Sequence, residues 1–377
     1  MEVFFYEAFE EEEAAIRGVL PSRIEAGFTW KTIQESGDRQ PPAGVISVRT
    51  QSVLPPEWAE DVRGVISRST GTDHIQQWRE ASGRVVPTCY LPTYCARAVA
   101  EQAMLLWMAL LRKLPKQTAQ FRRFHRDGIT GSECRHKRLL VVGVGNIGSE
   151  VVRIGKGLDM EVRGVDLDPR HHFVEYVPIE QGIGWADVLV CAMNLTAANR
   201  GYFDIERLRE ARCGALFINI ARGEMSPSAD LLQALEEEIL AGVGLDVYDQ
   251  EQALAVALRS DAKTDDPNAR TVLALLERED VIFTPHNASS NCCIFSSAAS
   301  SCGRCPCPDR VAGSCYNVFC SCVSGLSGVR IAWRSAVSGM IARSKWSTIG
   351  AGRMSSGRRS RAGCWRTSAC RWARRSF

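Results

Sequence analysis

The chain has 377 residues, of which 45% are hydrophobic and 24% are charged. This composition is typical of a soluble globular protein with room for two hydrophobic cores, and it argues against a mainly disordered chain. The net charge of +3 is unevenly spread, because residues 288–377 contain 14 basic residues and one acidic residue, whereas residues 1–287 contain 32 basic and 42 acidic residues. Ten of the 15 cysteines also follow residue 290. The remaining five are scattered and fit a reducing compartment, so we predict a cytoplasmic protein.

The N-terminal segment predicts a small α/β domain over residues 1–95. Short apolar runs at Val3–Tyr6, Gly44–Val48 and Val62–Ser67 alternate with polar connections and are typical of strands, and Glu10–Leu20 predicts a helix. This helix begins with four glutamates, at positions 10–13, where a signal peptide requires basic residues, so no signal peptide is predicted. Small residues follow the last of these strands, and their backbone N–H groups can hold a carboxylate or simply form a turn; they are Ser69, Thr70, Gly71 and Thr72.

A long apolar helix is predicted over Ala96–Leu114, with Pro115 ending it. It is apolar around most of its circumference, so we expect residues 96–115 to connect the first domain to a second one. Its run Ala103–Leu111 is too short to span a bilayer, and no membrane association is predicted. The basic segment 116–126 is interpreted as a solvated arm or a subunit contact, because nothing else in the chain supports specific nucleic acid binding.

The stretch Arg138–Asp166 combines a strand, a glycine-rich turn, a helix and a second strand. The apolar run 139–142 precedes Gly143, Gly145 and Gly148 in the spacing G-x-G-x-x-G. In such a turn the first glycine permits a tight bend, the second lets a pyrophosphate approach the backbone, and the third lets the helix pack closely on the strand. Asp166 stands 18 residues beyond Gly148, where a carboxylate binds an adenosine ribose and disfavours the 2′-phosphate of NADP. The sequence therefore predicts an NAD site.

Strands and helices continue to alternate to about residue 287, with further strands predicted at Val188–Ala192, Ala215–Ile220, Gly242–Val247 and Val281–Thr284. This alternation predicts a doubly wound parallel sheet, a Rossmann domain over residues 116–287, with ligands at the carboxyl ends of its strands. A surface loop is expected at Ser260–Asn268 and a helix at Thr271–Arg278. Several polar residues follow the strands at the ligand-binding edge: Asn194, Thr196, Arg222, Asp246, Glu251 and His286.

Three of these side chains, taken together, predict one type of reaction. Arg222 offers a permanently charged fork that can orient a carboxylate or carbonyl group. His286 can transfer a proton near neutral pH, and an adjacent Glu251 would raise the pKa of this histidine and keep it protonated. Each residue taken alone is more often structural, but beside a dinucleotide site they predict hydride transfer between a nicotinamide and a C=O or CH–OH carbon.

The chain resembles the D-isomer-specific 2-hydroxyacid dehydrogenases over about residues 40–288. The resemblance rests on seven motifs in order: SRSTGTDHI (67–75), ARAVAEQAM (96–104), GVGNIG (143–148), NLTAANRGYF (194–203), GALFINIARGE (214–224), GVGLDVYDQE (242–251) and TPHNA (284–288). It implies a smaller flavodoxin-like substrate domain beside the Rossmann domain, a homodimer, and NAD-dependent interconversion of a 2-hydroxy acid and a 2-oxo acid.

The resemblance also implies roles for individual residues. Arg222, Glu251 and His286 match the family's catalytic residues, and Ser69–Thr72 matches the loop whose backbone binds the substrate carboxylate. Positions that touch NAD are matched by Asn146, Ile147, Asp166, Asn199, Ala221 and Asp246, and Asn194 and Thr196, which follow a strand at the same edge, are also predicted to bind the cofactor. Two positions depart from the family, since Asn194 and Gln252 stand where proline is usual.

The resemblance ends at Ala288, and residues 288–377 are rich in Arg, Ser, Cys and Gly without an amphipathic period. We predict a disordered tail, with the hypothesis that it is an out-of-frame product of a GC-rich coding sequence. Zinc binding by its cysteines, such as Cys302, Cys305 and Cys307, is a weaker alternative because the C-x-x-C-x-C spacing does not match common sites, and no metal is predicted. Non-specific binding of the basic tail to nucleic acid or to an acidic membrane surface is another alternative.

Two other functions stay open beside the dehydrogenase. One is a non-catalytic NAD-binding regulator of the corepressor type, as some relatives of the family are. The other is an inactive product that lacks the helix with which the family's C-terminal segment completes the substrate domain.

Overall fold

The computed structural model describes residues 1–260 and 266–289. The predicted tail lies outside these residues from position 290 onward, and so do its cysteine and arginine clusters. Within the described ranges, no helix is long and apolar enough to cross a membrane, and no cluster of His, Cys, Asp and Glu side chains could hold a metal ion.

The first part of the chain, residues 1–95, forms a lobe around a parallel five-stranded sheet, which we call the small lobe. Its strands are β1 (Val3–Phe5), β2 (Ala26–Phe28), β3 (Val45–Val48), β4 (Gly64–Ser67) and β5 (Thr88–Cys89). They lie in the order β2-β1-β3-β4-β5, which is the flavodoxin order predicted for the substrate domain. The central strands β3 and β4 are buried along their whole length, because helices cover both faces of a parallel sheet. These helices are α1 (Glu10–Arg17), α2 (Ile33–Ser36) and α3 (Asp73–Ser82).

Residues 96–289 form the large lobe, around a parallel seven-stranded sheet in the order β12-β11-β10-β9-β6-β7-β8. Its strands are β6 (Arg138–Val142), β7 (Glu161–Val165), β8 (Glu175–Tyr176), β9 (Val188–Cys191), β10 (Ala215–Asn219), β11 (Leu240–Leu245) and β12 (Val281–Phe283). The chain reverses direction of winding between β6 and β9, which are paired neighbours. The predicted doubly wound Rossmann sheet is therefore confirmed, and β6 and β9 mark the switch point where such sheets bind ligands.

The helices of the large lobe begin with α4 (Ala96–Leu111), which ends three residues earlier than predicted. Lys113 adopts a left-handed conformation with φ of 52°, and this interrupts the helix. Pro115 does not end α4 as predicted; it lies in the first turn of α5 (Leu114–Phe121), where a missing N–H is harmless. The segment expected as a basic arm is thus partly helical. Helix α4 packs on the large lobe, with Ala103, Leu106 and Trp107 fully buried.

The remaining helices are α6 (Asn146–Gly157), α7 (Ile179–Gly182), α8 (Ile205–Arg209), α9 (Ser228–Glu236), α10 (Glu251–Ser260) and α11 (Pro267–Leu276). Helix α11 begins four residues before the predicted start at Thr271. Asp266 caps it by accepting a hydrogen bond from the Ala269 amide at 2.8 Å, and Pro267 occupies the first helical position. Glu251, expected after a strand, is the first residue of α10. The loop predicted at Ser260–Asn268 is shorter than expected, because α10 extends to Ser260 and α11 begins at Pro267. Its central residues 261–265 lie outside the described ranges.

Candidate active site

The glycine turn after β6 is shaped by backbone contacts. Gly143 has a φ of 91°, and a Cβ atom on it would lie 2.6 Å from the Met193 amide nitrogen. A Cβ atom on Gly148 would lie 1.9 Å from the Gly143 carbonyl oxygen, so α6 packs against the turn with no room for a side chain. Gly145 differs, because a Cβ atom there would meet no atom within 4 Å. The open space above Gly145, at the N-terminus of α6, is where a pyrophosphate would be accepted.

Asp166 follows β7 and closes the other side of the turn. Its Oδ2 atom accepts a hydrogen bond from the Val144 amide at 2.6 Å, and its Oδ1 atom accepts one from the Asp168 amide at 2.9 Å. Each carboxylate oxygen keeps a further lone pair with which it can accept a ribose hydroxyl. The open turn, the helix N-terminus and this acid together fit a dinucleotide.

The other residues predicted to contact the cofactor lie along the same edge of the large sheet. The loop after β9 is held by Asn199, whose side chain donates to the Asn194 carbonyl at 2.8 Å and accepts from the Thr196 amide at 2.7 Å. The side chain of Asn146 points instead across the cleft and donates to the Pro92 carbonyl at 3.2 Å. Ala221 is buried after β10 and donates its amide proton to the Asn219 side chain at 2.9 Å.

His286 and Glu251 form a close pair. The Nδ1 atom of His286 lies 2.9 Å and 2.8 Å from the two carboxylate oxygens of Glu251, and the two side chains are only 19% and 17% exposed. Burial acts to raise the pKa of Glu251, but the charge and hydrogen bond of His286, with smaller contributions from Gln51 and Arg222, lower this pKa below its ordinary value. The structure thus favours a negative carboxylate beside the imidazole.

Asp246 orders the loop that carries His286. It is 1% exposed and accepts hydrogen bonds from the Thr284 hydroxyl at 2.5 Å and from the Asn287 and Ala288 amides at 3.0 Å. Burial raises the pKa of Asp246, against these hydrogen bonds and the charge of His286. His286 has a left-handed backbone with φ of 49°, which costs about 1 kcal/mol. The bonds to Asp246 hold the loop in this conformation.

Arg222 follows β10 and reaches across the cleft to the small lobe. Its Nη2 and Nε atoms donate to the two oxygens of Asp73 at 2.9 Å and 3.3 Å, and its Nη1 atom donates to the Ala221 carbonyl at 2.8 Å. Gly71 lies directly against the guanidinium, since a Cβ atom on it would come 1.9 Å from Nη2. A side chain at position 71 would therefore displace the arginine. Only glycine leaves room for the guanidinium beside this turn.

The cleft between the lobes contains a cavity into which several predicted residues project: Ser69, Thr70, Gly71, Ile147, Arg222, Asp246 and His286. Thr72 instead directly precedes α3, and its carbonyl accepts a hydrogen bond from the Gln76 amide at 2.9 Å. Glu251 stands behind His286. The structure thus gathers the catalytic and substrate residues that the sequence predicts, while Gly143, Gly145, Asp166 and the 194–199 loop lie apart along the sheet edge.

Sequence reasoning missed several residues of the cavity, including Arg49 and Cys95, and Tyr94 also lines it. Arg49 directly follows β3 and donates from Nη2 to the Ser289 hydroxyl at 2.9 Å. A polar residue after a buried strand was the available signal, as it was for Arg222. Cys95 lies 3.1 Å from the Thr70 hydroxyl, and burial raises its pKa, so the thiol is neutral near pH 7. Burial also raises the pKa of Tyr94 to about 12.

Comparisons with known proteins agree with this geometry. Residues 104–288 match the family model of the D-isomer specific 2-hydroxyacid dehydrogenase NAD binding domain. A glyoxylate reductase of Korarchaeum cryptofilum is 30% identical over 246 residues, which cover 62% of this chain and 69% of the relative. A D-lactate dehydrogenase of Streptococcus agalactiae is 27% identical over 235 residues, which cover 60% of this chain and 70% of the relative.

Solved structures show the same fold. A D-lactate dehydrogenase from Aquifex aeolicus, complexed with NAD and lactic acid, superimposes with a TM-score of 0.71 over 87% of this chain and 97% of that chain, at 21% identity. A pyruvate reductase of Chlamydomonas reinhardtii gives a TM-score of 0.68 over 88% and 98%, at 22% identity. At such identities the likeness concerns the fold alone.

The matched domain binds NAD, which confirms the cofactor predicted from the glycine turn and Asp166. The chain therefore belongs to the D-isomer-specific 2-hydroxyacid dehydrogenase family, as an NAD-dependent oxidoreductase.

Proposed function

We propose that the chain interconverts a small 2-oxo acid and its D-2-hydroxy acid, with His286 as general acid and base. The observation that carries this proposal is the contact of His286 Nδ1 with both Glu251 oxygens, beside a cavity that also contains Arg222. Bound NADH would supply the hydride.

His286 holds the proton for the reaction. Because Nδ1 faces Glu251, Nε2 is the ring nitrogen that can give a proton to the carbonyl oxygen of the substrate, or take one from the hydroxyl in the reverse direction. The negative Glu251 stabilises the imidazolium before transfer and fixes the ring orientation. Closure of the lobes over the cavity would exclude water.

Arg222 and the loop Ser69–Thr72 orient the substrate. The guanidinium is charged at every working pH and binds an oxygen of the acid, while the loop offers backbone N–H groups to the carboxylate. In this proposal residues 1–95 act as the substrate domain, residues 96–115 as the connection and residues 116–287 as the NAD-binding domain. The relatives named above make glyoxylate and pyruvate the first acids to test.

The test is NADH oxidation by the purified chain with glyoxylate, pyruvate and larger 2-oxo acids, compared with His286→Asn. Asparagine tolerates the left-handed backbone at this position better than alanine does, so the variant removes the proton donor without adding strain. We expect kcat to fall by about 10²- to 10⁴-fold with NADH affinity retained, as measured by fluorescence transfer from tryptophan. His172→Ala, at an exposed position, is the matched control and should keep full activity.

Turnover by His286→Asn at the rate of the unmodified chain would refute the role of the histidine. NADH binding by the unmodified chain without turnover of any acid would favour the corepressor-type regulator instead.

A homodimer and a cytoplasmic location stay predictions. The homodimer is supported by two exposed aromatic side chains, Phe121 at the end of α5 and Phe124 three residues beyond it, which are 73% and 75% exposed.

A further inference from the structure

One side chain of the small lobe reaches the acid–base pair of the large lobe. The Nε2 atom of Gln51, in the loop after β3, donates a hydrogen bond to Glu251 Oε1 at 2.7 Å. The same Glu251 oxygen lies 2.9 Å from His286 Nδ1. A neutral amide from one lobe therefore shares a carboxylate oxygen with the imidazole of the other lobe.

The loop that carries Gln51 is fixed by a buried carboxylate. Glu7 is 3% exposed, and it accepts hydrogen bonds from the backbone amides of Arg49 and Gln51 at 2.9 Å and of Ser52 at 3.2 Å. Hydrogen bonds to a carboxylate are stronger than neutral ones. The backbone of Gln51 is thus held on the small lobe. Its side chain therefore reaches Glu251 only when the two lobes are close together.

Glu251 interacts with titratable or charged groups of several elements. His286 contacts it from the loop after β12, Arg222 acts on it from the loop after β10, and Tyr248, which precedes it in the chain, is also influenced by its charge. Gln51 is the group that approaches it from the small lobe. An amide donor favours the negative form of the carboxylate without adding a charge.

A second functional side chain also has its partner across the cleft, since Arg222 pairs with Asp73 of the small lobe. The cavity is therefore bordered by contacts that exist only while the lobes are together.

We propose that Gln51 is a positioning residue that couples closure of the lobes to the Glu251–His286 pair. With the lobes together, its amide holds Glu251 Oε1 and keeps the carboxylate turned toward the imidazole. With the lobes apart, this donor is withdrawn, so the acid–base pair is complete only in the closed state. The inference rests on the proposed role of His286.

The experiment compares the pH profiles of kcat/KM for Gln51→Ala and Gln51→Glu with the unmodified chain. In Gln51→Ala we expect kcat/KM to fall about tenfold and its acidic limb to move to higher pH, because loss of the donor raises the pKa of Glu251. Gln51→Glu can donate to Glu251 only when protonated, so its kcat/KM should decline as the pH rises through a range where the unmodified chain stays active. A merely structural role would not produce these opposite profiles.

The matched control is Gln76→Ala, which removes an exposed glutamine that bonds Glu80 on α3 and should leave the profile unchanged. NADH affinity should be the same in all variants. If His286→Asn abolishes turnover while both Gln51 variants behave like the control, the coupling is refuted and the proposed function stands. If His286→Asn keeps full turnover, both proposals fall.

Discussion

The glycine turn and the cavity are built in different ways. The glycines of the turn lie in one contiguous segment, from β6 to Asp166, and backbone atoms leave no space for a side chain at Gly143 or Gly148, whereas Gly145 faces open space. The cavity uses side chains of both lobes, and its partners are far apart in sequence, as in the pairs Arg222–Asp73 and Glu251–Gln51.

This difference implies two kinds of sensitivity. A methyl group that overlaps a backbone atom cannot be accommodated by small movements of side chains. An added methyl group in the turn should therefore damage folding or cofactor binding. Charged pairs depend on pH and on the distance between the lobes, so substitutions in the cavity should change rates and pH profiles while the fold persists.

The largest effect is expected for Gly148→Ala. Its methyl group would lie 1.9 Å from the Gly143 carbonyl oxygen, so α6 must move away from the turn. We expect the free energy of unfolding to fall by about 3 kcal/mol and NADH binding to be lost, as measured by urea denaturation and fluorescence titration.

Gly145→Ala is the matched control within the same turn, because its methyl group meets no atom within 4 Å. It should keep the stability of the unmodified chain but weaken NADH binding, since the methyl group occupies the space predicted for the pyrophosphate. Equal destabilisation by the two substitutions would contradict the steric argument.

Glu251→Gln should have the next largest effect and leave the fold intact. The substitution removes the negative partner of His286, and we expect kcat/KM to fall on the order of 100-fold. The pKa of Glu251 is lowered in the folded chain from an ordinary value of 4.5, so its contribution to stability is present above that value and is lost as the pH falls through the lowered pKa. The difference in unfolding free energy between the two proteins should therefore shrink in acid. If the difference in unfolding free energy stays constant from neutral to acidic pH, the pair of Glu251 and His286 is not the source of that difference.

Asp73→Asn should have the smallest effect. Burial acts to raise the pKa of Asp73, but the charge and hydrogen bond of Arg222 lower it below its ordinary value of 3.8. The stabilisation is thus present above that value and is lost as the pH falls through the lowered pKa. Because the side chains of Asp73 and Arg222 are partly exposed, at 23% and 19%, we expect the free energy of unfolding to fall by about 1 kcal/mol or less at neutral pH, as measured by thermal denaturation.

The matched control is Glu60→Gln, which breaks a more exposed ion pair with Arg84 and should lower the free energy of unfolding by a smaller amount. A larger loss of stability in this control would contradict the ranking.

The sequence by itself determined the parts of this protein that depend on local order. Apolar runs with β-branched residues predicted the strands, and their alternation with helices predicted parallel sheets, because a crossover helix must follow each parallel strand. The spacing of Gly143, Gly145 and Gly148 before a helix predicted the turn, since a tight bend, space for a pyrophosphate and close packing of the helix are demands of this local motif. His286, Glu251 and Arg222 could be named because the carboxyl ends of parallel strands meet at one edge.

Only the tertiary structure decided which side chains face one another across the cleft. Gln51 carries no periodic or motif signal of its own, and the partners of Asp73 and Arg49 could not be predicted from the sequence, because these contacts depend on how the small lobe is placed against the large one. Lys113 likewise interrupts the helix through a backbone angle that composition does not reveal. Local sequence determines which segments form strands, helices and the glycine turn, whereas the pairing of distant charges follows from how two separate cores pack.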